Sequence, residues 1–321
     1  MFGCGASPAG RGGPRFKFGG LQVKLGTFLT IVVLAVAGGQ VSAPRAQGVA
    51  PANAANLNIS PKRITFDRSH RSGTVFIFNQ GTGPGTFDIS LVDRVMLPNG
   101  RIISVEEAQA DPETKAVADR IKSARSLLQI SPRRVTLNPG QGQTIRLRVG
   151  AGPADQAPAE YRSHLTIATL PPRDTGTTAE AAAAQTAASG LSINITALFG
   201  LSVPTIVRLN DLDIRASLEN PRLTFEALGG TPKAPGPKVP VLTLDLVRLG
   251  GSSLFGSLDV RVQGQKGAPI GIVHGLGVYP EIERRTVQVV LTRPPAPGEK
   301  LEVTFTDDDN SPGKLLAKLA L

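Results

Sequence analysis

From position 191 to 203 the apolar side chains keep to odd numbers: Leu191, Ile193, Ile195, Ala197, Phe199, Leu201 and Val203. Polar or small residues fill the even positions, with Leu198 the one exception. Successive side chains of a β-strand point to opposite faces, so this stretch predicts a strand with one long apolar stripe. The stripe is longer than a single face of a small sheet needs. Residues 173–190 (RDTGTTAEAAAAQTAASG) precede it and read as a long flexible loop of low complexity. A flexible arm running into a one-faced strand predicts a strand offered to another protein's incomplete sheet. The other reading is a stripe that packs inside its own fold.

The same alternation, punctuated by Gly and Pro, recurs along the chain. It predicts strands over 57–66, broken at Pro61, and over 74–79, 86–92, 127–131, 135–137, 144–149 and 161–170. Asn138-Pro139-Gly140 is a tight turn between two of them. Residues 106–122 are charged and Ala-rich without clean periodicity, which predicts an irregular segment with one helical turn. After a hinge over 209–220, further strands are expected over 223–226, 241–249, 257–262, 270–278, 286–291, 300–305 and 315–319. Short strands at roughly 8–12-residue spacing point to β-sandwiches. The chain therefore reads as all-β, with two tandem sandwich domains over 55–208 and 209–321.

The N-terminus changes the compartment. Arg11, Arg15, Lys17 and Lys24 form a basic head, followed by the apolar run FLTIVVLAVA. That run has about half the ~20 residues a membrane span needs, so residues 1–54 read as a secretory signal peptide cleaved between 43 and 54. Cys4, the single cysteine, lies in it, so the exported protein has no disulfide, thiolate metal site or cysteine nucleophile. The leader also holds five basic residues and no acidic one. Removing those five from the 35 basic residues, against 25 acidic, leaves a net charge of +5. With aromatics at only 4%, nothing suggests nucleic-acid binding.

Catalytic chemistry finds little footing. His70, His164 and His274 share no metal-ligand spacing and read as surface or structural residues. No Gly-x-Ser-x-Gly elbow is present. Gly140-Gln141-Gly142-Gln143-Thr144 lacks the lysine of a phosphate loop. Asp307-Asp308-Asp309-Asn310 lacks the distant Glu of a calcium loop and reads as a solvated turn. No metal, cofactor or nucleotide site is expected, and the chain reads as no enzyme.

One family matches the order of these pieces. The run ISPKRITF over 59–66, the Asn-bearing FIFN over 76–79, the Pro-Gly turn before QTIRL over 143–147, YRSHLTI over 161–167 and the Leu170-Pro171-Pro172 exit stand in the order seen there. With the export signal and the final alternating strand, the chain resembles the periplasmic pilus (fimbrial) chaperones of the PapD-like family. The resemblance covers most of 55–208 and the remainder more loosely. It implies two immunoglobulin-like domains and a periplasmic chaperone. Such a chaperone stabilises a pilus subunit by donating a β-strand and delivers it to an outer-membrane usher without ATP. By the same resemblance Leu191, Ile193 and Ile195, extended by Ala197 and Phe199, would be the donor positions. Arg63 falls at the family's carboxylate-binding Arg, where it would hold the subunit's C-terminus, and Arg63→Ala is expected to spare stability. The family's partner Lys is missing from 200–208; Arg208 would replace it or stabilise the domain junction. The alternative is a secreted structural or adhesive β-sandwich protein without a client; a Ser/His hydrolase is a distant third.

Overall fold

In β1 (Leu57–Ser60), Leu57 and Ile59 point inward while Asn58 and Ser60 face water, the burial that period-two alternation requires. The chain then crosses, after a cis Ser60–Pro61 bond, to the opposite sheet as β2 (Ile64–Phe66). The structure, a computed structural model, describes residues 55–151, 157–171, 199–209, 211–231, 234–265 and 267–321.

The expected strands of the first half are present as β3 (Ser72–Asn79), β4 (Gly85–Val92), β7 (Leu128–Ser131), β8 (Arg134–Leu137), β9 (Gly142–Val149), β10 (Glu160–Thr169) and β11 (Gly200–Arg208). One sheet has the order β1-β3-β9-β7 and the facing one β2-β11-β10-β4-β8. Every pair is antiparallel except β2 with β11. This is the ABED-against-GFC arrangement of an immunoglobulin-like sandwich. Its interior is filled from both sheets by Phe66, Val75, Ile77, Phe87, Ile89, Ile145, Leu147, Leu165 and Ile167.

The irregular segment expected over 106–122 is more ordered than its composition suggests. A hairpin of β5 (Arg94–Met96) and β6 (Ile102–Ser104) leads into α1 (Val105–Ala110) and α2 (Pro112–Ala118). The Ser104 hydroxyl accepts the Glu107 N–H at 3.0 Å, and the Asp111 carboxylate accepts the Glu113 N–H at 2.9 Å with Pro112 opening α2. These caps satisfy first-turn donors that have no intrahelical acceptor. Val95, Leu97, Ile103, Ala108 and Ala118 close a small core of their own. The insert also reaches the second half, where Thr286 N–H donates to the Pro98 carbonyl at 2.8 Å.

That half contains β12 (Ala216–Ala227), a short hairpin of β13 (Gly230–Thr231) and β14 (Ala234–Pro235), then β15 (Lys238–Arg248), β16 (Leu254–Val262), β17 (Gly271–Val278), β18 (Arg284–Val290), β19 (Leu301–Asp307) and β20 (Leu315–Ala320). The orders β12-β15-β18 and β17-β16-β19-β20 form a second antiparallel sandwich around Leu244, Leu246, Leu258, Val260, Val289, Val303 and Phe305. Both sandwiches belong to one compact unit. The fold class is all-β with two immunoglobulin-like sandwiches. The hinge expected over 209–220 is shorter: β12 starts at Ala216 because Leu218 is buried in the second core. The connector is also stitched down, with Ser252 N–H donating to Asp213 O at 3.2 Å and Leu249 N–H to Arg215 O at 2.9 Å. Gly250 permits this contact, since a Cβ there would lie 1.9 Å from the Asp213 carbonyl oxygen.

Candidate functional site

β11 lies between β10 and β2, but β2 covers only Thr205, Ile206 and Val207. From Gly200 to Pro204 no described strand pairs with its outer side, and among the described residues it is a sheet edge. Thr169 N–H donates to Phe199 O at 2.9 Å, which fixes the antiparallel alternation. Odd residues of β11 turn their main-chain groups to β10, and Gly200, Ser202 and Pro204 turn theirs outward. Pro204, which has no N–H to offer, stands on the outward side, where a proline is tolerated in a strand.

The side chains divide the same way. Val203 and Val207 enter the first core, with Leu201 and Phe199 packed against its rim. On the other face Ile206 belongs to the second core and Arg208 is buried between the sandwiches. Leu191, Ile193, Ile195 and Ala197 lie outside the described residues, as do 1–54 and the loop 173–190. Of the five expected donor positions only Phe199 is described, and it is half-buried against its own sandwich.

Arg208 is the centre of a buried polar cluster. Its Nε donates to Glu160 Oε2 at 2.9 Å, Nη2 to Asp309 Oδ2 at 2.9 Å, and Nη1 to Asn310 Oδ1 at 2.7 Å. Burial alone would lower its pKa; Glu160 and Asp309 outweigh that and hold it above its ordinary value. Glu160 also accepts the Ser253 N–H at 3.1 Å. Asp309 lies in turn 3.1 Å from Arg63 Nη2. Burial pushes the Asp309 carboxyl up, but Arg63 and Arg208 pull it below the usual carboxylate range.

Arg63 is therefore not a solvent-facing strand arginine, and the expectation that Arg63→Ala spares stability is corrected: its side chain is only 9% exposed and already paired. Its guanidinium lies 4.6 Å from the Phe255 ring centroid. Its Nε and Nη1 are buried without a hydrogen-bond partner. It borders a cleft of about 590 Å³ that Lys62, Thr65 and Phe255 also line. The acidic turn is likewise not simply solvated. Asp307 accepts N–H groups from Asp309, Asn310 and Ser311, and this aims Asp309 at the two arginines.

A second polar joint carries no sequence motif. Arg162 pairs with Glu281, lies 4.0 Å over the Tyr279 ring and donates to the Arg94 carbonyl at 2.8 Å. Glu281 also accepts the Met96 N–H at 3.0 Å, tying the insert to the second sandwich. His164, 3.3 Å from Arg162, is lowered to about 3 by burial and by the charges of Arg162 and Arg94. His274 meets Ser257 Oγ at 2.9 Å, but that hydroxyl donates to Asp308. The order is Asp–Ser–His with serine in the middle, so neither is the histidine oriented by the acid nor the hydroxyl proton directed to it, as a triad needs. Among the described residues no cluster of His, Cys, Asp or Glu could hold a metal ion, and no helix is long and apolar enough to cross a membrane.

The architecture is thus a pair of immunoglobulin-like sandwiches with a partly open edge strand beside a doubly arginine-lined junction. No family model matches the chain, and no curated protein does. Among solved structures it is similar to the YadV chaperone (15% identity, 83% of this chain and 99% of that one, TM-score 0.41). It is also similar to the E. coli chaperone DraB (12%, 83% and 96%, TM-score 0.39) and to a structure of Salmonella enterica SafA pilin in complex with the SafB chaperone (12%, 83% and 95%, TM-score 0.38). Superpositions this loose assign no function.

Proposed function

We propose that the protein is a non-enzymatic assembly chaperone that holds a β-rich pilus- or fimbria-type subunit by lending it a strand. Residues 1–54 export it to the periplasm, residues 55–208 form the client-binding domain, and delivery is to an outer-membrane usher. The observation that carries this reading is the end of β10 at Thr169, opposite Phe199. The described strand β10 ends there, and the alternating apolar positions Leu191, Ile193, Ile195 and Ala197 precede Phe199 in sequence. Alternating positions of this kind, extended as a strand beyond the sheet, would have main-chain groups to offer a foreign edge and side chains to fill a foreign groove. Each Leu or Ile fully buried there contributes roughly 1.5–3 kcal/mol before ordering costs.

Arg63 fits the terminal carboxylate of such a client. Buried donors without acceptors are costly, and an oxygen entering the cleft would relieve Nε or Nη1. Asp309 then has the part of holding Arg63 in place, and Arg208 fixes the junction instead of replacing the family's lysine. A secreted structural protein is the second reading, favoured by Phe199 resting on its own core.

Co-purification from the periplasm separates the two. The wild type should carry a small β-rich subunit one to one. Ile193→Asp with Ile195→Asp should lose it while circular dichroism and unfolding midpoint stay the same. A double variant that fails to fold, or a wild type without a client, defeats the proposal.

A further inference from the structure

Among the described residues β12 is the outermost strand of its sheet and pairs only with β15. A bulge at Asn220 and Pro221, with Asn220 at φ +52°, breaks its register between Glu219 and Arg222. Beyond the bulge every residue from Arg222 to Ala227 is exposed. Leu223 and Phe225 are 42% and 57% exposed and share one face. Arg222, Thr224 and Glu226 share the other. A long apolar edge left open in this way is a template for another strand.

Main-chain directions follow from the flanking bonds. Leu228 N–H donates to Pro237 O at 3.0 Å, so in this register Arg222, Thr224 and Glu226 bond to β15. Leu223, Phe225 and Ala227 direct their N–H and C=O groups outward. Leu291 N–H donates to Pro240 O at 2.9 Å, which agrees, since Pro240 opposite Phe225 then serves β18 and not β12.

We infer that β12 is a homodimerisation edge, pairing antiparallel with β12 of a second copy of this chain about a two-fold axis at Thr224. The sequence is self-complementary in that register alone. Arg222 falls opposite Glu226 of the other copy, twice, and Leu223 opposite Phe225, twice. Directly opposed residues share a face, so two ion pairs form on one side and four apolar side chains meet on the other. The outward groups of Leu223 and Phe225 exchange hydrogen bonds in reciprocal pairs. Neighbouring registers break this match: an axis at Phe225 sets Arg222 against Leu228. Arg222 has no ion-pair partner within its own chain among the described residues, and Glu226 only accepts from the Thr224 hydroxyl at 3.0 Å. An isologous contact of this kind closes on itself as a dimer and caps both edges.

Sedimentation velocity on the intact protein tests it. The wild type should show a reversible, concentration-dependent dimer. Arg222→Glu and Glu226→Arg each set like charges opposite one another twice and should weaken dimerisation about tenfold or more. Both positions are exposed, and circular dichroism should confirm unchanged folding. Mixed together, the two variants regain complementary pairs at every position and should form a one-to-one heterodimer. The double exchange should restore the homodimer. A wild type that stays monomeric, a dimer indifferent to either reversal, or reversed variants that ignore one another would each overturn the inference.

Discussion

Arg208 keeps its charge at a position with almost no solvent because Glu160, Asp309, Asn310 and Ser253 between them take its donors. Breaking a buried pair from one side strands the other charge, which costs roughly 3–5 kcal/mol. Chemical denaturation should find that loss for Arg208→Ala and only partial recovery with Arg208→Lys, whose single ammonium cannot span the acceptors. Arg215→Ala, which removes an exposed pair with Asp213, should leave the midpoint where it was. His164 gives the pH its sign. The folded protein keeps the ring neutral down to about 3, whereas the unfolded chain protonates it near 6.5. Between those values the unfolded state binds more protons, so stability falls as pH falls. From pH 6.5 to about 5, above the carboxylate range, the slope should approach 1.4 kcal/mol per pH unit. His164→Gln should flatten it; an unchanged slope would show that His164 is protonated in the folded state.

At the level of elements, the strands were legible because period-two alternation and Gly/Pro turns are local signals. β3, β4, β9 and β10 begin and end within two residues of the expected limits. The 106–122 segment reads as irregular with one helical turn where the structure has two helices, although Ser104 with Glu107 three residues on, and Asp111-Pro112, are helix-start signals. Short helices with one buried alanine each carry little periodicity, and their order comes from caps and a shared small core. The charged joint was half legible. Arg63 and Arg208 stood out only through the family resemblance. Their shared acid, Asp309, lies 246 and 101 residues away in sequence, and only the packing of the second sandwich against the first brings it near. Glu281, with no motif around it, was invisible for the same reason. The β12 edge was equally hidden, since exposure on both faces is a property of the hairpin's position and not of its composition.

Across the whole molecule, the two sandwiches meet through an apolar layer and a charged one. Ile206 of β11 and Met96 of the insert are first-half residues buried in the second core. Arg208–Asp309 and Arg162–Glu281 lie beside them. The layers do different work. Buried ion pairs recover little more than their desolvation cost, so they set orientation more than they add stability. Ile206 and Met96 bury apolar surface outright, at roughly 1.5–3 kcal/mol each. Neutralising the acids with Glu281→Gln and Asp309→Asn should therefore lower the calorimetric midpoint yet leave one cooperative transition. Ile206→Asp with Met96→Asp should split it into two, because charges at the seam oppose docking while each sandwich keeps its own sheets. Two transitions from the acid variants alone would reverse the ranking and make the ion pairs the joint. This bears on the proposed role, since β11 serves both sandwiches: its odd face belongs to the first core, and its even face turns Ile206 into the second core and Arg208 into the junction. A client strand added along the open edge of β11 would thus be held by a strand already fixed from both sides, which keeps its outward main-chain groups in register before any partner arrives.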